Sequence, residues 1–196
     1  DPATGFSSGA DDWVISDSSQ AGGPTFGPES LSNPTALTMA ADEPSAALPL
    51  GFPFDFAGAT YTEAYVRSNG FVNFDGTDHE GFYSPRTLGA DDDLNGFIAV
   101  WWADLNPETG GTVEYETVGT APDRIFVVSW DDISYYNDLN PTQQTTERVT
   151  VQLQLFETSN RIELHATSAD MVPAGANGVA VGVEGTPPLA RVVYED

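Results

Sequence analysis

Along much of the chain apolar and polar residues alternate on a period of two. Val149, Val151, Leu153 and Leu155 alternate with Thr150, Gln152 and Gln154, and after a turn at Thr158-Ser159-Asn160 the pattern resumes at Ile162, Leu164 and Ala166. Successive side chains of a strand point to opposite faces, so this pattern predicts half-buried strands with one polar face. Thr112 to Val118 repeats it, with Val113 and Tyr115 opposite Glu114 and Glu116. Two segments differ: Phe97 to Ala103 and Ile125 to Trp130 are apolar on both faces, which predicts central strands covered from both sides. Leu48 to Phe54, interrupted by Pro49 and Pro53, suits a sheet edge. Asn69-Gly70, between Tyr61 to Ser68 and Phe71 to Asp75, is the strongest hairpin signal. Val179 to Val183 and Ala190 to Tyr194 predict the last strands.

No stretch reads as helical. The 19 Gly and 14 Pro are spread throughout and would break most helical windows. Strand signals separated by turn clusters predict an all-β, jelly-roll-like β-sandwich of roughly ten to twelve strands with little or no helix. Residues 46–196 form that domain. Residues 1–45 are rich in Ser, Gly, Pro and Ala, with brief apolar runs at Trp13-Val14-Ile15 and Ala36-Leu37-Thr38-Met39. They predict an N-terminal extension whose order requires a surface, either a neighbouring molecule that accepts a donated strand or the sandwich itself.

Several core motifs carry a family likeness. Leu50-Gly51-Phe52-Pro53-Phe54, Ser68-Asn69-Gly70-Phe71-Val72-Asn73-Phe74 and Phe97-Ile98-Ala99-Val100-Trp101-Trp102-Ala103-Asp104-Leu105-Asn106-Pro107 follow one another in order. Gly110-Gly111-Thr112-Val113, Arg124 to Trp130, Asn160-Arg161-Ile162-Glu163 and Val179 to Glu184 continue the series. Over roughly residues 46–186 this order resembles bacterial extracellular β-domains related to the nidogen-like domain. The chain departs from that pattern at Val100, where Pro is common, and at Trp102-Ala103, where Trp-Asp is expected. The resemblance implies a secreted sandwich of surface, adhesion or matrix proteins with no consensus active site.

Charge narrows the partners. Thirty Asp and Glu stand against six basic residues, all Arg, giving a net charge of −24. Nucleic-acid phosphate and anionic membranes both require a basic face, so neither fits. The absence of Cys excludes disulfides, thiolate nucleophiles and Cys metal sites, and the absence of Lys excludes Schiff-base and P-loop chemistry. No apolar run reaches the length of a transmembrane helix. The Asp1-Pro2 start reads as a mature form whose leader has been removed, which places the protein outside the cell or at its surface.

Asp91-Asp92-Asp93-Leu94-Asn95-Gly96 is the sharpest chemical motif. Asp91, Asp93 and Asn95 supply alternating oxygens and Gly96 the tight turn of a calcium loop, but Trp102 stands where the closing Glu belongs. Asp104, or the Asp131-Asp132 pair, is the substitute carboxylate. Tyr135, Tyr136, Asn137 and Asp138 form a second candidate, an ion- or sugar-binding platform. Asp75-Gly76-Thr77-Asp78 reads as a turn. Catalytic signals are weak: His79 and His165 lie far apart, and Glu114 and Glu116, about 7 Å apart along one strand, read as a solvated face. The expected function is a non-enzymatic secreted structural or adhesive protein. It would associate with itself or with other surface proteins as a filament or surface-layer subunit stabilised by calcium. The alternative is a carbohydrate-binding or adhesin module.

Overall fold

The computed structural model describes residues 3–9, 12–76, 82–90, 94–136, 145–170, 178–185 and 190–195. These contain fourteen strands: β1 (Ala3–Gly9), β2 (Asp12–Asp17), β3 (Thr35–Leu37), β4 (Leu48–Phe56), β5 (Ala59–Val66), β6 (Phe71–Asn73), β7 (Phe97–Trp102), β8 (Leu105–Asn106), β9 (Thr112–Val118), β10 (Ile125–Tyr135), β11 (Arg148–Phe156), β12 (Ile162–Ala169), β13 (Ala180–Glu184) and β14 (Ala190–Glu195). No helix occurs among the described residues. The fold is the expected all-β sandwich. Its strands exceed the expected ten to twelve because the first 45 residues supply β1, β2 and β3 and a short β8 follows β7.

Two antiparallel sheets face each other. The first has eight strands in the order β2-β1-β12-β11-β10-β9-β3, with β8 also paired to β10; the second has six, in the order β14-β13-β7-β6-β5-β4. The alternating apolar residues of β4 (Leu48, Leu50, Phe52, Phe54 and Phe56) turn inward, while Pro49 and Pro53 face out on an edge strand where a missing N–H does little harm. β4 crosses the first sheet instead of following one of its strands. Thr117 Oγ1 of β9 donates to Leu50 O at 2.9 Å, and the Arg124 guanidinium beside β10 donates to Gly51 O. Farther along, Asp55 N donates to Asn160 Oδ1 at 2.9 Å in the β11–β12 turn, and Phe56 meets Trp13 of β2 with ring centroids 5.1 Å apart. These contacts visit the first sheet's strands in sequence, so the layers cross steeply.

The main core lies between the sheets and contains Leu50, Phe54, Ile98, Phe126, Trp130, Leu153 and Leu155. A second apolar cluster lies on the outer face of the six-stranded sheet. There Phe82, Leu88 and Leu94 of the segment before β7 cover Phe71, Phe97 and Trp102. This is the two-sided cover predicted for Phe97 to Ala103.

The Asn69-Gly70 hairpin forms between β5 and β6, but it is buried and serves as a joint. Asn69 Oδ1 accepts Leu105 N at 2.9 Å, and Gly70 O accepts both Val100 N and Trp101 N at 3.0 Å. Gly70 has φ +77°, and an added Cβ would lie 2.2 Å from Trp101 O, so only glycine fits. Sharing one acceptor between Val100 and Trp101 breaks the alternation of β7. Trp101 therefore packs against the main core and Trp102 against the outer cluster. Asp131-Asp132, the pair offered as a substitute carboxylate, forms a bulge inside β10, where the register shifts between Trp130 and Ile133 and Asp132 has φ 54°.

Candidate functional site

The polar face expected of β11 and β12 is buried: Gln152, Gln154, Glu163 and His165 are all nearly inaccessible. Residues 24–33 run across the outer face of the eight-stranded sheet as a strap, and these side chains hold its backbone. Gly27 N donates to His165 Nδ1 at 3.4 Å, and Gln154 Nε2 donates to Gly27 O at 3.1 Å. Two residues on, Glu29 N donates to Gln152 Oε1 at 2.7 Å and Gln152 Nε2 donates back to Glu29 O at 3.0 Å. The side chains act as a substitute strand edge, satisfying backbone groups that no ladder reaches. Because Nδ1 of His165 accepts, its Nε2 carries the proton and donates to Glu163 Oε2 at 3.1 Å.

The strap ends at β9. Glu116 accepts Ser32 N at 2.8 Å and Asn33 N at 3.0 Å, and β3 then adds to the β9 edge. The backbone N–H of Asn33, followed by the Ser32 donors, holds the Glu116 carboxyl below its ordinary value of 4.5. Glu116 is thus an ionised tether for the end of the strap, the opposite of the raised carboxyl that a general acid needs. At the other end β1 pairs with β12, β2 pairs with β1, and Trp13 and Met39 enter the main core. In this structure residues 3–9 and 12–45 pack on the same chain.

The sequence candidates separate. Asp91 and Asp93 lie outside the described residues, as do Asn137 and Asp138. Asn95 precedes β7 and Asp104 follows it, so the whole extended strand, about 16 Å by strand rise, lies between them. Asp104 instead meets the second candidate: its carbonyl accepts Tyr136 N at 2.8 Å, and β8 pairs with Ser134 and Tyr135. Among the described residues no three His, Asp or Glu side chains cluster as a metal site. Tyr135 is 0 % exposed and offers no face to a sugar; its hydroxyl accepts Trp101 Nε1 at 2.8 Å and donates to Asp170 O at 3.3 Å. Burial pushes that hydroxyl up to about 12. Tyr135 belongs to the core because β10 continues through its bulge, where the sequence signal had ended at Trp130, while Tyr136 follows the strand and is half-buried.

Each sheet also ends in an edge strand bearing an exposed valine: Val14 on β2 is 63 % exposed and Val193 on β14 is 39 % exposed. Beside Val193, the two sheets part over an apolar hollow of about 290 Å³ lined by Val100, Trp101, Val151, Leu164 and Val181.

A family model described as NIDO related (nidogen-related) matches residues 17–195, so the match takes in the strap and β3 as well as the sandwich. It points to an extracellular, structural or adhesion-type domain of a generally non-enzymatic family. The comparisons give no support for a bacterial origin. No curated protein and no solved structure matches the chain. Among the described residues no helix is long and apolar enough to cross a membrane.

Proposed function

Because the chain belongs to the NIDO-related family, we propose that it is a non-enzymatic extracellular building block that assembles with copies of itself or with other surface proteins through the β14 edge. The observation that carries the edge assignment is the position of β14. It borders the six-stranded sheet and exposes Val193 beside the hollow between the sheets. A neighbouring strand added there would gain main-chain hydrogen bonds and an apolar anchor. The N-terminal segment is a poorer donor, since its strands and its strap are already committed to the same chain.

A net charge of −24 sets a condition on assembly, because like-charged faces must be screened or bridged before they meet. Calcium suits this role, with Asp91, Asp93 and Asn95 as its ligands and a carboxylate other than Asp104 completing the set. Electron microscopy of the purified chain with and without calcium tests the reading. Ordered assemblies that form with calcium and dissolve on chelation support it. A chain that stays monomeric at every calcium concentration contradicts it.

A further inference from the structure

The strap does not seal the outer face of the eight-stranded sheet. Between it and the β1–β2 hairpin an open cleft of about 490 Å³ remains, with Ser16, Glu29, Gln154, Phe156, Arg161 and Glu163 on its walls. We propose that this cleft binds a neutral saccharide. The reading goes beyond assembly at the β14 edge and does not depend on it.

The walls of the cleft carry hydrogen-bonding groups that are only partly in use. Arg161 Nε pairs with Glu163 Oε1 at 2.8 Å, and the guanidinium carbon lies 3.9 Å from the centroid of the Phe156 ring. These two contacts fix the plane of the guanidinium, while its terminal nitrogens make no hydrogen bond to a described residue and remain a donor fork. Gln154 uses both amide hydrogens, on Gly27 O and on Gln152 Oε1 at 2.8 Å, which leaves its Oε1 as an acceptor. Glu29 is fixed by its backbone to Gln152, and its carboxylate makes no hydrogen bond to a described residue. A fork of donors, a carboxylate and an amide oxygen therefore border one cleft, the fork and the amide held by side-chain contacts and the carboxylate by its anchored backbone.

Sugar hydroxyls both donate and accept, so vicinal pairs satisfy such a mixed set. An anion is disfavoured, because Glu29 and Glu163 outnumber Arg161 on a chain of net charge −24. A cationic group suits the two carboxylates but leaves the Arg161 fork unpaired beside a like charge, and an apolar ligand would strand the polar wall.

The test is titration of the full chain with cellobiose, lactose and maltose, followed by chemical-shift perturbation and calorimetry. The expected result is saturable binding of at least one of them with a Kd of about 1 mM or tighter, weakened roughly tenfold or more by Glu29→Ala and by Arg161→Lys. The Glu29 carboxylate supports no other described group, so Glu29→Ala should melt with the wild type, and loss of binding then reports the site and not the fold. Three results would each overturn the proposal: no saturation with any of the three sugars, binding indifferent to both substitutions, or occupation of the cleft by an Arg-rich peptide in their place. Each can be read on unassembled protein, so failure here leaves the assembly reading standing, and failure to assemble leaves this one standing.

Discussion

Both sheets have a covered outer face, and the two covers are made from opposite chemistry. The six-stranded sheet is roofed by Phe82, Leu88 and Leu94 packed on Phe71, Phe97 and Trp102. The eight-stranded sheet is roofed by a polar strap whose backbone is bonded to Gln152, Gln154, His165 and Glu116. Fully burying a large apolar side chain contributes about 1.5–3 kcal/mol, whereas a typical net hydrogen bond contributes about 0.5–1.5 kcal/mol. The apolar roof should therefore be part of the cooperative core, and the strap should open at lower free energy.

Truncating the apolar roof is the largest expected effect. Trp102 is enclosed, with its indole N–H on Phe82 O at 3.0 Å and its ring 5.3 Å from Phe71 and 5.4 Å from Phe97. Trp102→Ala should cost about 3–5 kcal/mol in denaturant unfolding, with every probe changing together. A loss under 1 kcal/mol would mean the roof is dispensable.

The strap should respond differently. Gln154→Ala or His165→Ala should cost about 1–3 kcal/mol, since each leaves a strap backbone group without its partner. In both variants protease cleavage within residues 24–33 should precede loss of the core signal. Cleavage that appears only at global unfolding would erase the distinction between the roofs.

Tyr135 lies inside the sandwich, between the roofs, and gives a pH test. Its hydroxyl is raised from 10.0 to about 12, so its contribution is fully present below pH 10 and is lost as the pH rises towards 12. Tyr135→Phe should flatten that alkaline limb at a neutral-pH cost of about 1 kcal/mol, because Trp101 Nε1 loses its acceptor. An unchanged alkaline limb in this variant would assign it to another group.

The smallest expected effect is at the strap's end. The Glu116 carboxyl is depressed below 4.5, so its contribution is present above that value and is lost as the pH falls through the lowered one. Glu116→Gln should leave the core midpoint nearly unchanged while loosening residues 32–37 in hydrogen exchange. An exchange pattern identical to the wild type would show that β3 holds the strap without the tether.

The same contrast explains what could be read from sequence. Apolar residues on both faces of β7 announced a cover whatever supplied it, so the two-sided burial of Phe97 to Trp102 was legible. Gln152, Gln154, Glu163 and His165 carry the alternating polar pattern of a solvated face, and nothing local shows that a segment more than a hundred residues away lies on them. Residues 24–29, poor in apolar side chains, bind mainly through their backbone, so no hydrophobic period marks the strap. Asn69-Gly70 was legible as a turn but not as a joint, because its bonds to Leu105, Val100 and Trp101 depend on how β7 folds back. The pairing of Asn95 with Asp104 was read as if a loop joined them, whereas the extended strand β7 lies between the two.

With both faces roofed from within the chain, save for the cleft beside the strap, the edges are the surfaces left for strand addition. The direct measurement is hydrogen–deuterium exchange of the full chain before and after addition of about 5 mM calcium, a concentration suited to extracellular calcium modules. The prediction is new protection at residues 190–195, beside that of the calcium ligands Asp91, Asp93 and Asn95, with residues 24–33 exchanging as before. Protection that appears instead in β1, β2 or the strap, or no change alongside a monomeric mass, would contradict assembly through β14.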